Sequence, residues 1–395
     1  MPQPSARLSD ILPSGKDGWE VHVAAQARLE AGEDVIMLSV GDHDFPTPDE
    51  TVEACVKALR AGHHHYTQLA GIPRLRTAMA KASERSTGIP TAPEEVIATP
   101  GGQAALFAAA QAVLDAGQHA IVVAPYYATY PYTFRAAGVS YDVVEAQAED
   151  DFQPRAESIR QALRPETRAI LLNSPNNPTG AIYSREALEG IAQLCIEHDL
   201  WLVSDEVYWT LGGAAHLSPR ALPGMAERTI VMNSLSKSHG MTGWRIGWLT
   251  APARIVTLLT GLNLVSTYGL PDFVSHAAAE TLEHGFGVEE IAKRYAQRRQ
   301  VFLDAAAGMR GITVRGSKGG MYVMLDIREL DPDDERFAFA LLEAERVGVM
   351  PGSSFGEAAR GHIRVCLCQP EKRLKEAAER IRRFCSSYER PSATS

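Results

Sequence analysis

Between about residues 95 and 250, short apolar runs alternate with stretches of helical periodicity. Each run is rich in Val, Ile or Leu and almost continuously apolar, which is typical of strands buried on both faces of a mainly parallel sheet. The pattern therefore predicts βαβ units joined by right-handed crossovers. The predicted strands are EVIATP, HAIVVAP, RAILLNSP, LWLVSDE and TIVMNSLS, and the clearest helices between them are GQAALFAAAQAVLDAG and SREALEGIAQLCIEHD.

Polar residues follow every one of these predicted strands. They occupy positions 99–102, 125–127, 174–178, 205–206 and 234–237. In open α/β sheets, ligands bind at the carboxyl ends of the strands. We therefore expect the five polar groups to converge on one crevice.

The C-terminal part has a different pattern. A long amphipathic helix is predicted at 285–308, followed by the segment ITVRGSKGGMYVMLDI, a helix at 335–347, the segment GVMPGSSFG, the strand HIRVCLC and a terminal helix. This order indicates a second, smaller α+β domain. We therefore predict an N-terminal segment, 1–47, that joins the small domain, a large α/β domain at 48–284, and the small C-terminal domain at 285–395.

Composition narrows the class of protein. The 395 residues are 45% hydrophobic and 22% charged, which is ordinary for a globular protein with a sizeable core. The formal net charge of −9 argues against nucleic acid as the main partner, but it permits a local basic pocket for a small anion. No apolar run reaches about 18 residues, and the polar N-terminus does not suggest a secretory signal, so we expect a cytoplasmic protein without a membrane span.

Cysteines and histidines do not predict a metal site. The five cysteines, an odd number, match no metal framework in their spacing, and we interpret them as reduced packing residues. His63, His64 and His65 are consecutive, but no other ligand set is spaced to join them. We therefore predict no bound metal.

The segment NSLSKSHGMTGWRIGW, residues 233–248, carries the clearest chemical signal. Its lysine, Lys237, follows a buried strand and must be desolvated or paired there. A lysine with a solvated head is the alternative, but the surrounding glycines and hydroxyls leave room for a bulky polar ligand. Desolvation lowers the pKa of a lysine, and its neutral amine is then a nucleophile that can form a Schiff base.

This segment resembles the pyridoxal-phosphate attachment motif of class I/II aminotransferases, the fold-type I group. The resemblance extends over nearly the whole chain, in the order LSVGDHDFPTP, HYTQLAGIPRLRTAMA, TPGGQAAL, NSPNNPTG, SDEVY, the motif itself, GMYVMLDI, VMPGSSFG and HIRVCL. It implies pyridoxal 5'-phosphate as the cofactor. It also implies a large cofactor-binding domain with a mainly parallel seven-stranded sheet, and a smaller α+β domain.

The resemblance assigns roles to the central residues. Lys237 forms the Schiff base with the cofactor aldehyde and then acts as general base and acid. Asp205 pairs with the pyridine nitrogen and keeps it protonated, so that the ring withdraws electrons. Asn177 and Tyr208 bond the phenolic oxygen, and Tyr127 stacks on the ring.

The same resemblance places the cofactor phosphate and the substrate. Arg364 holds the substrate α-carboxylate, with Gly41 and Asn177 beside it. Tyr66 reaches the phosphate of the neighbouring subunit, which implies a homodimer with shared active sites. The residues expected around the phosphate are Gly101, Gly102 and Gln103 at a helix start, the hydroxyls of Ser234 and Ser236, and the guanidinium of Arg245.

Three functions remain open at the level of sequence. The first is an aminotransferase (EC 2.6.1.-) of amino-acid metabolism. The second is a C–S β-lyase, but such lyases usually carry an SDEIH-like stretch where this chain has SDEVYW. The third, an aminotransferase-like sensor fused to a DNA-binding module, is disfavoured by the acidic charge and by the absence of a basic helix-turn-helix segment. We therefore predict the aminotransferase.

The substrate is less well defined. The segments WEVHVAAQARLEAGEDVIMLSVGD and LNLVSTYGLPDF most resemble the bacterial arginine–pyruvate transaminases. This favours a basic or broad amino donor, with pyruvate or 2-oxoglutarate as acceptor, over an aspartate or aromatic donor. A basic side chain needs an acidic partner, and the unranked candidates are Asp17, Asp42, Asp44 and Glu206. His43 replaces the proline usual in the family's G-x-P-D-F loop, and the motif gives His239 no chemical role.

Overall fold

The computed structural model describes Ser5, Ile11 and residues 18–390. Asp17 lies outside the described residues. The strands are β1 (Ile36–Met37), β2 (Val96–Thr99), β3 (His119–Ala124), β4 (Ser140–Glu145), β5 (Thr167–Asn173), β6 (Trp201–Asp205), β7 (Thr229–Ser234), β8 (Gly247–Thr250), β9 (Thr313–Arg315), β10 (Tyr322–Asp326), β11 (Val347–Gly348), β12 (Met350–Pro351) and β13 (His362–Cys366).

The α-helices lie between and around these strands. They are α1 (Glu20–Glu30), α2 (Asp49–Arg60), α3 (Pro73–Thr87), α4 (Gly102–Val113), α5 (Tyr130–Ala137), α6 (Ala156–Gln161), α7 (Arg185–Glu197), α8 (Leu235–Ser238), α9 (Ala253–Val265), α10 (Asp272–His284), α11 (Val288–Ala306), α12 (Asp334–Glu345) and α13 (Glu371–Ser387). No described helix combines the length and apolar character that crossing a membrane requires.

The large sheet has seven strands in the order β2-β8-β7-β6-β5-β3-β4. Only β8 runs antiparallel to its neighbours, so the carboxyl ends of the other six strands share one edge. The predicted α/β class and the mainly parallel seven-stranded sheet are confirmed. The five predicted strands correspond to β2, β3, β5, β6 and β7. The sequence interpretation did not single out β4 and β8.

Both faces of this sheet are covered. Along β3, Ile121 and Val123 join the apolar cluster that contains α7, whereas Ala120 and Val122 join the cluster on the opposite face that contains α4. This alternation follows from the two-residue period of a strand. A sheet buried on both sides explains why its central strands are almost continuously apolar.

The smaller part contains an antiparallel sheet in the order β12-β13-β10-β9, packed with α11, α12 and α13. Strand β1 pairs in parallel with β11, and Val21, Ala25 and Leu38 belong to the same apolar cluster as this sheet. We retain the division into 1–47, 48–284 and 285–395 as a proposal. It is supported by these contacts, which attach the N-terminal segment to C-terminal elements.

Candidate active site

A cavity of about 320 Å³ lies where the carboxyl ends of the parallel strands face the small sheet. Twelve of the residues proposed from the sequence line it, whereas Gly101 and Tyr66 do not. The twelve are Gly41, Gly102, Gln103, Tyr127, Asn177, Asp205, Tyr208, Ser234, Ser236, Lys237, Arg245 and Arg364.

Lys237 lies in α8, the single helical turn that follows β7. The turn begins at Ser234, whose side-chain oxygen accepts a hydrogen bond from the Ser236 amide at 3.1 Å. The Lys237 amine donates to the carbonyl of Gly41. Burial lowers the pKa of Lys237 because a charged amine is poorly solvated there. The geometry thus holds an amine with increased neutral character at the cavity wall.

Asp205 ends β6 and is buried at the inner end of the cavity. Its carboxylate accepts hydrogen bonds from the Tyr130 hydroxyl at 2.5 Å and from the Val207 amide at 3.2 Å. Burial raises the pKa of Asp205 to about 6, although both hydrogen bonds oppose the shift. A cationic group beside this carboxylate would favour its ionised form.

Arg364 of β13 is buried between two aromatic rings, with its guanidinium carbon 4.5 Å from the Tyr322 centroid and 4.6 Å from that of Phe355. Its Nη1 donates to Asn177 Oδ1 at 2.9 Å, and its Nη2 donates to the Ser39 carbonyl. Its Nε has no hydrogen-bond partner among the described residues. The guanidinium of Arg364 is thus fixed in orientation, and its Nε–H remains as a hydrogen-bond donor.

Tyr208 and Gly41 are fixed by Tyr322. The hydroxyls of Tyr208 and Tyr322 lie 3.1 Å apart, and burial raises the pKa of Tyr208 well above its usual value. A Cβ at position 41 would lie 2.0 Å from the Tyr322 hydroxyl oxygen, so only glycine permits this approach. The loop that carries the Gly41 carbonyl can therefore reach Lys237.

A group of hydrogen-bond donors lies at the start of α4. Gly101 has φ +82°, and a Cβ there would lie 2.4 Å from Arg245 Nη2, so glycine brings the turn and the guanidinium together. The buried hydroxyls of Ser234 and Ser236 lie 2.9 Å apart beside them. A helix N-terminus with an arginine and two hydroxyls is suited to bind an anion.

The amide side chain of Gln103 is bonded elsewhere. Its Nε2 donates to Thr133 Oγ1 at 2.8 Å, and its Oε1 accepts from Thr129 Oγ1 at 2.8 Å. One of the two Nε2 hydrogens and the Oε1 acceptor of Gln103 are therefore already engaged. Tyr66 is 87% exposed and lies edge-on to Tyr268, with the ring centroids 5.1 Å apart.

A hydrogen-bonded chain runs behind Lys237. His43 Nε2 lies 3.1 Å from the Ser236 carbonyl, and its Nδ1 lies 2.8 Å from the Tyr295 hydroxyl. Burial is the largest of the causes that lower the pKa of His43 to about 4, so the ring is neutral at pH 7 and carries one N–H. A carbonyl oxygen can only accept a hydrogen bond, so the single N–H of the ring lies on Nε2. Nδ1 is then an acceptor, and the Tyr295 hydroxyl donates to it. Cys368, whose sulfur is 3.3 Å away, must then donate to Tyr295.

Comparison with known proteins identifies the family. Residues 33–381 match the family model described as aminotransferase class I and II. The chain belongs to the class I and II aminotransferases. It is 41% identical over 373 residues to the arginine–pyruvate transaminase AruH of Pseudomonas aeruginosa, covering 94% of this chain and 95% of that protein.

Other relatives of this aminotransferase are named for different substrates. It is 40% identical over 385 residues to the aspartate/prephenate aminotransferase of Thermus thermophilus, covering 96% of this chain and 98% of that protein. The solved structure of aspartate aminotransferase from Thermus thermophilus with maleate superposes with a TM-score of 0.90 at 37% identity, covering 97% of this chain and all of that one. The enzyme class is therefore shown, whereas the relatives disagree on the amino donor.

Sequence reasoning missed three aminotransferase residues that line the cavity. Tyr130 donates to Asp205, and Tyr322 contacts Tyr208 and Arg364. Asn173 bonds the Asp205 carbonyl at 2.9 Å and accepts from the Asn177 amide at 2.7 Å. The three-residue spacing of Tyr127 and Tyr130 was an available signal, because Tyr127 lies in the loop just before α5 and Tyr130 is the first residue of that helix.

The acidic residues proposed as partners of a basic substrate side chain lie in different surroundings. Asp44 forms a two-bond ion pair with Arg298 at 2.7 and 2.8 Å. Glu206 is fully buried and bonded to Ser204, Ser218 and His216, outside the cavity lining. Asp42 lines the cavity, where its Oδ1 accepts from Thr242 Oγ1 at 2.8 Å.

Proposed function

We propose that the protein is a cytoplasmic, pyridoxal-phosphate-dependent aminotransferase that moves the amino group of an L-amino acid to a 2-oxo acid. The observation that carries this proposal is the convergence of three groups on one cavity: the Lys237 amine, the Asp205 carboxylate and the Arg364 guanidinium. Their chemistry suits a nucleophile and proton carrier, a partner for a cationic ring, and a carboxylate clamp, respectively.

The cavity residues fit the cofactor. Arg245, the two serine hydroxyls and the N-terminus of α4 would hold its phosphate, Asp205 its ring nitrogen, and Asn177 with Tyr208 its phenolic oxygen. Tyr127 would pack on the ring, with its own ring approaching Tyr130 edge-on at 6.0 Å. When bound, the cofactor supplies an electron sink for the bond broken at the substrate Cα.

Lys237 would bind the cofactor and later carry the proton. Its lowered pKa makes neutral amine available, which both covalent attachment and proton abstraction require. The Gly41 carbonyl, which accepts from Nζ, orients the amine towards the cavity. Tyr130 and the Val207 amide would keep the Asp205 carboxylate aligned with the ring nitrogen.

Arg364 would bind the substrate α-carboxylate. Its guanidinium is held by Asn177, the Ser39 carbonyl and two aromatic rings, so it is oriented before a substrate arrives. A preorganised fork loses little conformational entropy when it binds a carboxylate. The close approach of Gly41 would let the substrate lie between this arginine and the lysine.

We propose a basic donor, with arginine the first candidate, and pyruvate or 2-oxoglutarate as acceptor. Three cations line the cavity among the described residues, and all three already have roles in this scheme: Lys237, Arg245 and Arg364. Among the described residues of one chain, no further lining cation is therefore left for a second substrate carboxylate, whereas Asp42 offers a carboxylate to a cationic side chain. The similarity to the arginine–pyruvate transaminase supports the same choice.

An aspartate or aromatic donor is the second candidate, because the Thermus thermophilus relative is nearly as similar. A donor panel separates the two. Arginine or lysine with pyruvate should be turned over faster than aspartate, and a faster reaction with aspartate would contradict the basic donor. Pyruvate released from cystathionine without any added 2-oxo acid would instead indicate the C–S β-lyase.

We also propose that the enzyme is a homodimer with shared active sites. Tyr66 and Tyr268 are exposed together, and α9 exposes Leu258, Leu264 and Val265, apolar surface that a partner subunit would cover. Mixing inactive Lys237→Ala with impaired Tyr66→Ala should restore about a quarter of the activity, because half of the dimers then hold one intact site. No recovery after subunit exchange would contradict sharing.

Cofactor attachment is tested separately from donor choice. The purified protein is treated with borohydride, digested and analysed by mass spectrometry. The peptide that contains Lys237 should carry the reduced cofactor, and Lys237→Arg should lose that modification. A colourless protein that takes up no cofactor when it is supplied in excess would contradict the proposed function.

A further inference from the structure

Two histidines and an aspartate converge on the side of the molecule near Tyr66. His63 precedes that tyrosine by three residues, and Asp272 and His276 lie one helical turn apart on α10. His63 Nδ1 is 3.1 Å from one Asp272 oxygen, and His276 Nε2 is 3.4 Å from the other. One ligand atom from each residue lies within 4.8 Å of the other two.

These separations are within reach of a small coordination polyhedron. Zinc binds imidazole nitrogen at about 2.0–2.1 Å and carboxylate oxygen at about 2.0–2.2 Å. A tetrahedron with such bonds has edges of roughly 3.3–3.5 Å. The two measured nitrogen–oxygen distances run to different oxygens of Asp272, so binding would require the carboxylate to turn until one oxygen faces both nitrogens, within a cluster whose ligand atoms already lie within 4.8 Å.

We propose that His63, Asp272 and His276 form a divalent metal site that binds Zn²⁺, with water in the fourth position. Two imidazoles and a carboxylate are a ligand set that suits zinc. The ion would link the segment before Tyr66 to α10 and fix the base of that segment. The site lies outside the cavity lining and does not depend on the aminotransferase mechanism.

The surrounding charges permit a cation. Arg74 lies nearby, but its guanidinium is bonded to Glu283 at 2.5 Å and lies 3.6 Å from Glu280. Two carboxylates therefore offset its charge, and Asp272 contributes a further negative charge directly to the ion. In the single chain all three ligand side chains retain some exposure, from 15% for Asp272 to 36% for His63.

The competing explanation is a metal-free cluster in which Asp272 bonds the two rings. The rings lie 3.7 Å apart between centroids, tilted by 31°, a contact that neutral imidazoles also make. The two explanations differ in one measurable respect. A metal-free cluster has no affinity for zinc beyond that of ordinary surface histidines.

The test is zinc binding to the purified, cofactor-loaded enzyme after removal of metals with a chelator. His63→Gln and His276→Gln are compared with His64→Gln, whose ring lies in the same exposed segment but contacts the Leu59 carbonyl at 2.7 Å. Equilibrium dialysis should give one zinc per chain in the native protein and in His64→Gln. Each of the other two variants should bind at least tenfold more weakly.

Cobalt substitution and folding controls complete the experiment. Co²⁺ in this site should show the intense visible bands of a four-coordinate ion, and the His276→Gln variant should lose them. Circular dichroism and cofactor content should be unchanged in every variant, which separates lost binding from lost folding. Absence of zinc binding in the native protein, or equal binding by His276→Gln, would overturn the proposal.

Discussion

Removing the Tyr295 hydroxyl should destabilise the enzyme through His43. Tyr295 is fully buried, and its hydroxyl donates to His43 Nδ1 at 2.8 Å. In Tyr295→Phe that nitrogen loses the hydroxyl that donates to it. A buried acceptor left without a partner costs about 1–3 kcal/mol, whereas loss of the weak Cys368 S–H contact adds little. We therefore expect the free energy of unfolding to fall by about 1–3 kcal/mol.

A second substitution isolates the cause. In the His43→Leu variant the acceptor no longer exists, so adding Tyr295→Phe should lower the free energy of unfolding by no more than about 0.5 kcal/mol. The loss caused by Tyr295→Phe with His43 present, minus the loss in the His43→Leu variant, is the coupling energy of the two side chains. Urea unfolding followed by circular dichroism measures all four proteins at pH 7, with cofactor occupancy matched. Equal losses in the two backgrounds would refute the donor assignment along the chain from Cys368 to the Ser236 carbonyl.

Four further results are expected. Lys237→Ala should abolish turnover but still bind the cofactor noncovalently, as judged by activity and by absorbance after gel filtration. Asp205→Asn should keep the fold and cut kcat on the order of a hundredfold or more, the scale of losing one electrostatic partner; a twofold effect would contradict its role. Asp42→Asn should raise KM for arginine several-fold with little change for alanine, and equal changes for both donors would argue against a side-chain contact. Burial lowers the pKa of His239 from 6.5 to about 4. Below pH 6.5 this histidine is therefore protonated in the unfolded chain but still neutral in the native state. The free energy of unfolding present above pH 6.5 should fall by up to about 3 kcal/mol as the pH approaches 4. In urea titrations at pH 7 and pH 5, His239→Phe should lose that part of the pH dependence, and an unchanged dependence would exclude this residue as its source.

The sequence predicted the parts of the fold that depend on local pattern. The runs that became β3, β5, β6 and β7 are apolar because both faces of the sheet are covered. Strand β4 was missed because it lies at the sheet edge, where most of its side chains are only half-buried. Strand β8 was missed because its residues overlap the segment interpreted for its chemistry. Its antiparallel place between β2 and β7 depends on long-range pairing that local pattern does not encode.

The residues of the candidate site likewise divide into those that local sequence indicates and those that depend on long-range contacts. Lys237, Asp205 and Asn177 could be proposed because each follows a predicted strand and falls in a recognisable motif. Tyr130 and Tyr322 carry no motif of their own, and their contribution depends on which side chains they contact. His43 and Tyr295 are 252 positions apart, and His63 and Asp272 are 209 apart. Separations of this size explain why the sequence interpretation did not join Asp272 and His276 to His63.

The residues found only in the structure orient groups that the sequence had already marked. Tyr130 aligns the Asp205 carboxylate, Tyr322 packs against the Arg364 guanidinium, and His43 donates to the carbonyl beside Lys237. Groups of this kind set pKa and geometry through burial and single hydrogen bonds, so their identity can vary as long as the contact is kept. Rate and substrate preference should therefore respond to them more gradually than to Lys237, and graded kinetic effects across these three positions would distinguish orienting residues from the reacting amine.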